Sequence, residues 1–315
     1  MTRVSEVYPD DRVILREVGL RDGLQLVKVF PSTAAKQRWI GDEYAAGVRH
    51  FEVGSFLPAK RFPQFADVRE IVRTVGSLAG AHGIALVLNE RGANEALASG
   101  VAEIATVVSA TEEHSRANAN RSRDEAIANV RRLCELRDRS THRPIVHAAI
   151  SMALGCSITG PVDPLEVIRL VGKCFEAGVD AVGIADTVGY AGPKQVGELT
   201  KAAVRLAGSK PICVHLHDTR GMGIANASAA LDMGARILDG SLGGLGGCPF
   251  APGATGNVVF EDLVFLCEGK GFATGIDIGK LVAVRAILRS EMPDEQLYGG
   301  LARAGLPCAT SAAAA

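Results

Sequence analysis

Short apolar runs rich in β-branched residues alternate along this chain with longer amphipathic ones, from end to end. The short runs are VILREVG (13–19), HFEVGSF (50–56), IALVLNE (84–90), EIATVVS (103–109), PIVHAAIS (144–151), AVGIADT (181–187), PICVHLHD (211–218) and ILDGSLG (237–243). Each is predicted to be a strand. Between them lie stretches such as QFADVREIVRTVG, RDEAIANVRRLCELRDR and PLEVIRLVGKCFEAG; in the last, Leu165, Ile168, Val171 and Phe175 recur at helical spacing. The joints repeat as well. EYAAGVRHFEV, ALASGVAEIAT, CFEAGVDAVGI and ALDMGARILDG each close a helix on a glycine and then restart a strand. Glycine suits that position because it enters the left-handed region without steric cost.

Eight strand–helix units with no intervening linker predict a (β/α)₈ TIM barrel, one domain over residues 1–300. An additional C-terminal helix is expected over 277–291 (DIGKLVAVRAILRSE), and residues 301–315, ending in ATSAAAA, are expected to form a flexible tail. A doubly wound open sheet is the rival fold, because alternation alone does not show closure. The two differ in where chemistry sits: a closed barrel gathers it at the C-terminal ends of its strands.

Composition fits a globular protein of this size, with 315 residues, 47% hydrophobic and 22% charged. A formal net charge of −1 gives no reason to expect nucleic acid or a membrane surface as partner. The N-terminus is polar, without a signal-peptide core, and no apolar run approaches the roughly 18 residues that span a bilayer. Seven cysteines, at 134, 156, 174, 213, 248, 267 and 308, are scattered and form no C-x-x-C pair. That pattern argues against a disulfide or zinc framework and for a reducing, cytoplasmic setting. No P-loop or dinucleotide fingerprint is present, since GLGG after the eighth strand lacks the βαβ context.

The seventh strand reads I-C-V-H-L-H-D. Alternation puts Cys213, His215 and His217 on one face, towards the barrel interior, and two imidazoles so placed can chelate one ion. An H-x-H alone more often marks two hydrogen-bonded interior histidines. The end of the first strand, REVGLRDGLQ (16–25), adds Asp22 as a hard oxygen ligand and Arg21 as a fixed cation for an oxyanion; the plainer reading is a surface ion pair of below about 1 kcal/mol. After the eighth strand, GGLGGCPFAPGATGN (243–257) holds six glycines and two prolines in fifteen residues, too long for a plain connection. It suggests a mobile lid that carries Cys248 and ends at Asn257, a possible carbonyl-oxygen ligand. His50, His82, His114 and His142 read as structural or solvated, while alternation turns His147 inward.

These three segments together resemble the hallmark segments of the 3-hydroxy-3-methylglutaryl-CoA lyase family, part of the DRE-TIM metallolyases. FEVGSFLPAKRFPQFAD (51–67), SATEEHSRANANRS (109–122), SMALGC (151–156) and ADTVG (185–189) extend the likeness over residues 13–290. The resemblance implies that Asp22, His215, His217 and Asn257 hold a divalent cation, Mg²⁺ or Mn²⁺. It implies cleavage of a carbon–carbon bond in an acyl-CoA, with Arg21 stabilising the thioester enolate oxygen and Cys248 protonating the enolate carbon. Asp22 lies beside the reacting hydroxyl, and Glu52, Asp186 and Glu261 match the family's active-site carboxylates, although each taken singly reads equally well as polar packing in the barrel. It also implies a homodimer and a place in leucine degradation. Lys60 and Arg61 after the second strand, and Arg116, Arg121 and Arg123 after the fourth, are candidate partners for the phosphates of CoA. A C-terminal redox role for Cys308 and a spectator thiol are both open. Three segments depart from the family form: SFLPAKRFPQ, GCSITG and LYGGLARAGLP. They put the acyl group in question, so citramalyl-CoA or another branched 3-hydroxyacyl-CoA is the alternative to 3-hydroxy-3-methylglutaryl-CoA. A Claisen-type synthase, which usually adds a C-terminal regulatory domain and lacks the GGCPF lid, is a more distant one.

Overall fold

The computed structural model describes residues 3–246 and 255–307. Its eight strands are β1 (Ile14–Glu17), β2 (His50–Ser55), β3 (His82–Leu86), β4 (Glu103–Ser109), β5 (Ile145–Ser151), β6 (Ala181–Asp186), β7 (Ile212–Leu216) and β8 (Ile237–Gly240). All are parallel and close in sequence order, with β8 returning to β1 through Ile14↔Ile237 to Glu17↔Gly240. Closure excludes the open sheet and establishes the TIM barrel.

The helices are α1 (Arg3–Val7), α2 (Thr33–Ala46), α3 (Val68–Gly76), α4 (Glu90–Ser99), α5 (Glu112–Ala119), α6 (Arg123–Arg139), α7 (Pro164–Glu176), α8 (Pro193–Ala207), α9 (Gly223–Asp232), α10 (Phe260–Gly269), α11 (Ile278–Glu291) and α12 (Gly300–Ala304). The main apolar core lies between strands and helices, with Trp39, Phe51, Ile71, Leu133 and Phe260 fully buried in it. A smaller cluster closes the N-terminal end of the barrel, where Val4, Val7 and Tyr8 pack on Ile14, Ile145, Cys213 and Ile237. No described helix is long and apolar enough to cross a membrane.

The repeated glycines behave as the sequence predicts: Gly47, Gly100, Gly178 and Gly234 all have positive φ. Local boundaries differ more. The third strand starts at His82 and stops at Leu86, because Asn89 turns to cap α4 by accepting the Gly92 amide. The buried stripe of α7 is Val167, Leu170, Val171 and Cys174, whereas Leu165 is 72% exposed. Leu165 is the second residue of the helix, and the stripe begins two residues later, at Val167, than apolarity alone suggests. Residues 277–291 form α11 and its cap, as expected. The segment expected as tail begins with α12, whose Gly300 and Leu301 amides donate to Asp262; Cys308 and the alanines lie outside the described residues.

Candidate active site

Arg21 and Asp22 sit on one wide turn, Gly19–Gly23, in which the amides of Arg21, Asp22 and Gly23 all donate to the Val18 carbonyl. A single-turn π bulge of this kind is common at functional sites. Gly19 opens it because no side chain fits: a Cβ there would lie 2.4 Å from Glu17 Oε1 and 2.8 Å from the Trp39 ring. Glu17 Oε1 fixes the turn by accepting the Gly19 amide at 2.6 Å, and it also receives the Leu242 amide at 3.3 Å from just beyond the neighbouring strand β8. Burial leads the causes that push the Glu17 carboxyl up to about 8.

The turn hangs over β7. His215 and His217 point inward, as alternation requires, with their Nε2 atoms 3.1 Å apart. Asp22 Oδ2 lies 3.6 Å from His217 Nε2, and the ligand atoms of Asp22, His215 and His217 fall within 4.8 Å of one another. Asn257 completes the group: its Nδ2 donates to Asp22 Oδ2 at 2.8 Å and to the Leu245 carbonyl at 3.1 Å. Its buried Oδ1 has no hydrogen-bond partner among the described residues. Burial would raise the Asp22 carboxyl, but Arg21 and the two histidines outweigh it and hold it well below the usual range. An ionised carboxylate, two imidazole nitrogens crowded together and an unanswered amide oxygen are a donor set that suits Mg²⁺ or Mn²⁺.

Beneath this group lies a second polar layer that the sequence reading did not single out. Asp239 on β8 accepts His215 Nδ1–H at 3.1 Å, which leaves the lone pair of His215 on Nε2. Arg16 grips Asp239 with two bonds, Nε to Oδ1 at 2.6 Å and Nη2 to Oδ2 at 2.9 Å. Arg16 opposes burial in holding the Asp239 carboxyl low, with His215 helping. His147 does turn inward, and its Nδ1 lies 3.4 Å from Arg16 Nη1. Burial, then Arg16, pushes it down to about 4, so it is neutral at physiological pH. The available signal for Arg16 and Asp239 was phase: both are charged residues at inward positions of predicted strands.

A cavity of about 540 Å³ opens above these layers. Arg21, Asp22, Glu52, Arg61, His215 and His217 line it. Glu52 Oε1 lies 2.8 Å from Arg21 Nε. Burial lifts the Glu52 carboxyl, and Arg21 only partly offsets that. Other sequence candidates lie elsewhere. Asp186 faces outward from the barrel, accepting the Tyr190 and Ala191 amides at 2.9 and 3.0 Å. Glu261, on α10, takes Arg285 Nη1 at 2.6 Å and the Gly243 amide at 2.9 Å, so it braces the base of the segment after β8. Neither lines the cavity. Lys60 is exposed, and Arg116 pairs with Glu112 at 2.7 Å on the surface of α5. Arg121 donates to the Leu88 carbonyl, and Arg123 to that of Ala110. Cys248 lies outside the described residues. Of the three departing segments, only the first reaches the cavity, through Leu57, Pro58, Arg61 and Phe62.

A parallel barrel with a candidate metal cluster and a paired arginine at the C-terminal ends of its strands defines a metallolyase-like TIM barrel. The chain belongs to the HMGL-like family, whose model matches residues 12–288. It is 35% identical to hydroxymethylglutaryl-CoA lyase YngG of Bacillus subtilis, over 90% of this chain and 94% of that protein. It is 36% identical to the hydroxymethylglutaryl-CoA lyase of Pseudomonas mevalonii, over 94% of this chain and 97% of the relative. Among solved structures, an HMG-CoA lyase from Acinetobacter baumannii in complex with coenzyme A and 3-methylmalate superposes with a TM-score of 0.87 at 31% identity, covering 98% of each chain.

Proposed function

We propose that this protein cleaves 3-hydroxy-3-methylglutaryl-CoA to acetyl-CoA and acetoacetate with the help of Mg²⁺ or Mn²⁺ held by Asp22, His215, His217 and Asn257. The observation that carries this reading is the convergence of those four side chains beneath Arg21, on a family barrel. When bound, the cation would polarise the substrate's hydroxyl and lower its pKa. Asp22, kept ionised by Arg21, lies where it can accept that proton. Arg21 lines the cavity as a buried guanidinium fixed by Asp22 and Glu52, set to stabilise the oxyanion that forms on the thioester as the bond breaks. Glu52 orients Arg21. Cys248 is proposed to protonate the departing enolate carbon, since a thiol of pKa about 8.5 is protonated at neutral pH. Among the candidate cations for the phosphates of CoA, Arg61 is best placed by its position on the cavity rim. On the same reading, the family resemblance supports a homodimer acting in leucine degradation. The described cysteines, all free and buried, support a reducing cytoplasmic setting.

One observation favours a second reading of the acyl group: the segment that departs from the family form, SFLPAKRFPQ, walls the cavity through Leu57, Pro58 and Phe62. A branch differing by one carbon changes discrimination by only about 1–3 kcal/mol, so citramalyl-CoA is a rival substrate. Acetyl-CoA release from each thioester, with Mg²⁺, with Mn²⁺ and after chelation, tests both. Metal-dependent cleavage is expected, and the ratio of kcat/KM names the acyl group. If neither thioester is cleaved by protein that binds metal, the substrate assignment fails. Arg21→Met is expected to lower kcat by about 10²–10³.

A further inference from the structure

TIM barrels usually fill their interior with branched aliphatic side chains. In this one, β1 places a 5%-exposed arginine there, and β4 a fully buried glutamate. Replacing such buried ion networks by apolar residues is often neutral or stabilising, so stability does not explain them. Their geometry offers another reason. Both ends of the Asp239 carboxylate are gripped by Arg16, at 2.6 and 2.9 Å, and Oδ2 also takes His215 Nδ1 at 3.1 Å. The plane of Asp239 is therefore set by the guanidinium fork rather than by the histidine it serves. Arg16 is fixed in turn. Its Nη2 reaches Cys213 Sγ at 2.9 Å, and its Nη1 lies 3.5 Å from Glu103 Oε1. The other oxygen of Glu103 takes the Tyr8 hydroxyl at 2.7 Å and His82 Nε2 at 2.9 Å. Tyr8 directly follows α1, under the closed end of the barrel. One continuous set of polar contacts thus runs from the N-terminal helix to the imidazole above.

We propose that Arg16 and Glu103 are positioning residues for His215, and that Tyr8 is the outermost member of the same relay. The inference rests on the reading of His215 as a metal ligand. Ligand orientation by outer partners is worth about 10–100-fold in metal affinity. Glu103 and Tyr8 do not line the cavity, and Arg16 reaches it at the same level as Asp239.

The dissociation constant of Mn²⁺, measured on the substrate-free protein by the EPR signal of the free ion, reads this directly. Thermal melting in parallel reports folding. Arg16→Met should weaken Mn²⁺ binding by about tenfold or more, and Arg16→Lys, which keeps the charge but not the fork, should recover only part of it. Glu103→Gln should weaken binding by about fivefold and Tyr8→Phe by about twofold, each leaving cooperative melting intact. An unchanged constant in a cooperatively melting Arg16→Met protein overturns the proposal. If Arg16→Met does not fold, unchanged constants in both Glu103→Gln and Tyr8→Phe overturn it instead. Wild-type protein that binds no Mn²⁺ sinks the metal reading, an outcome distinct from a metal site indifferent to Arg16.

Discussion

The barrel contains two histidine pairs that look alike at first sight. His215 and His217, near the C-terminal rim, have ring centroids 5.1 Å apart; His50 and His82, near the floor, have theirs 5.5 Å apart. Each pair has a carboxylate beside it. The difference is in how the polar atoms are answered. In the floor pair, His82 Nε2 meets Glu103 at 2.9 Å, Tyr8 meets the same oxygen, and Tyr8 packs against both rings. In the rim pair, two Nε2 atoms face each other, and Asn257 Oδ1 finds no partner among the described residues. Acceptors that converge without enough donors mark a place for a cation. Donors and acceptors that match mark packing. Residue type alone does not separate the two cases.

Alanine at His215 or His217 should break this contrast most severely. We expect at least a thousandfold loss of kcat/KM together with loss of Mn²⁺ binding, whereas alanine at His50 should lower the melting temperature and leave the Mn²⁺ dissociation constant within about threefold. Those constants, measured side by side, would show whether the pairs truly differ. Next in size is Cys248→Ala, for which removal of a general acid predicts a fall of about 10²–10⁴ in kcat. Binding of Mn²⁺ should not change, separating proton delivery from metal holding.

Stability against pH sharpens the comparison between layers. His147, held at about 4, refuses a proton that the unfolded chain accepts near 6.5. Its contribution is therefore lost as pH falls from about 6.5 towards 4, by about 1.4 kcal/mol per pH unit. Glu17, lifted to about 8, keeps a proton that the unfolded carboxyl releases near 4.5, so its contribution is lost as pH rises from about 4.5 to 8, with the same limiting slope. Urea unfolding across this range should show His147→Gln gaining on wild type as pH falls and Glu17→Gln gaining as pH rises. Parallel curves would show that neither group is perturbed. The smallest effect on activity is expected at Asp186. Asp186→Ala strips the Tyr190 amide and the buried Ala191 amide of their acceptor, costing about 1–3 kcal/mol in unfolding free energy, with kcat within about threefold.

Strand period and helix-closing glycines made the barrel legible, because both are local. The metal candidates were legible for the same reason: alternation along one strand fixes the direction of His215 and His217. What stayed hidden depended on closure. Arg16 and Asp239 are charged residues in the middle of strands, and only the β8–β1 pairing sets them side by side as a bonded couple. Asp186 and Glu261 went the other way. Their chain positions suit a rim carboxylate, yet one faces backwards to hold a loop and the other holds the stem of the glycine-rich segment. Leu165 shows that apolar spacing gives a helix but not always its buried face. The wide turn at Gly19–Gly23 had no periodic signature at all.

The pairing of the first strand with the last also bears on the chain's synthesis. Asn257 and Asp22 meet across 235 residues of sequence. Asp22 leaves the ribosome 235 residues ahead of Asn257, so a chain still being made holds these two proposed ligands apart. They converge only once β8 has closed on β1. An unfinished chain would therefore grip a metal ion weakly, and capture would wait for the completed barrel.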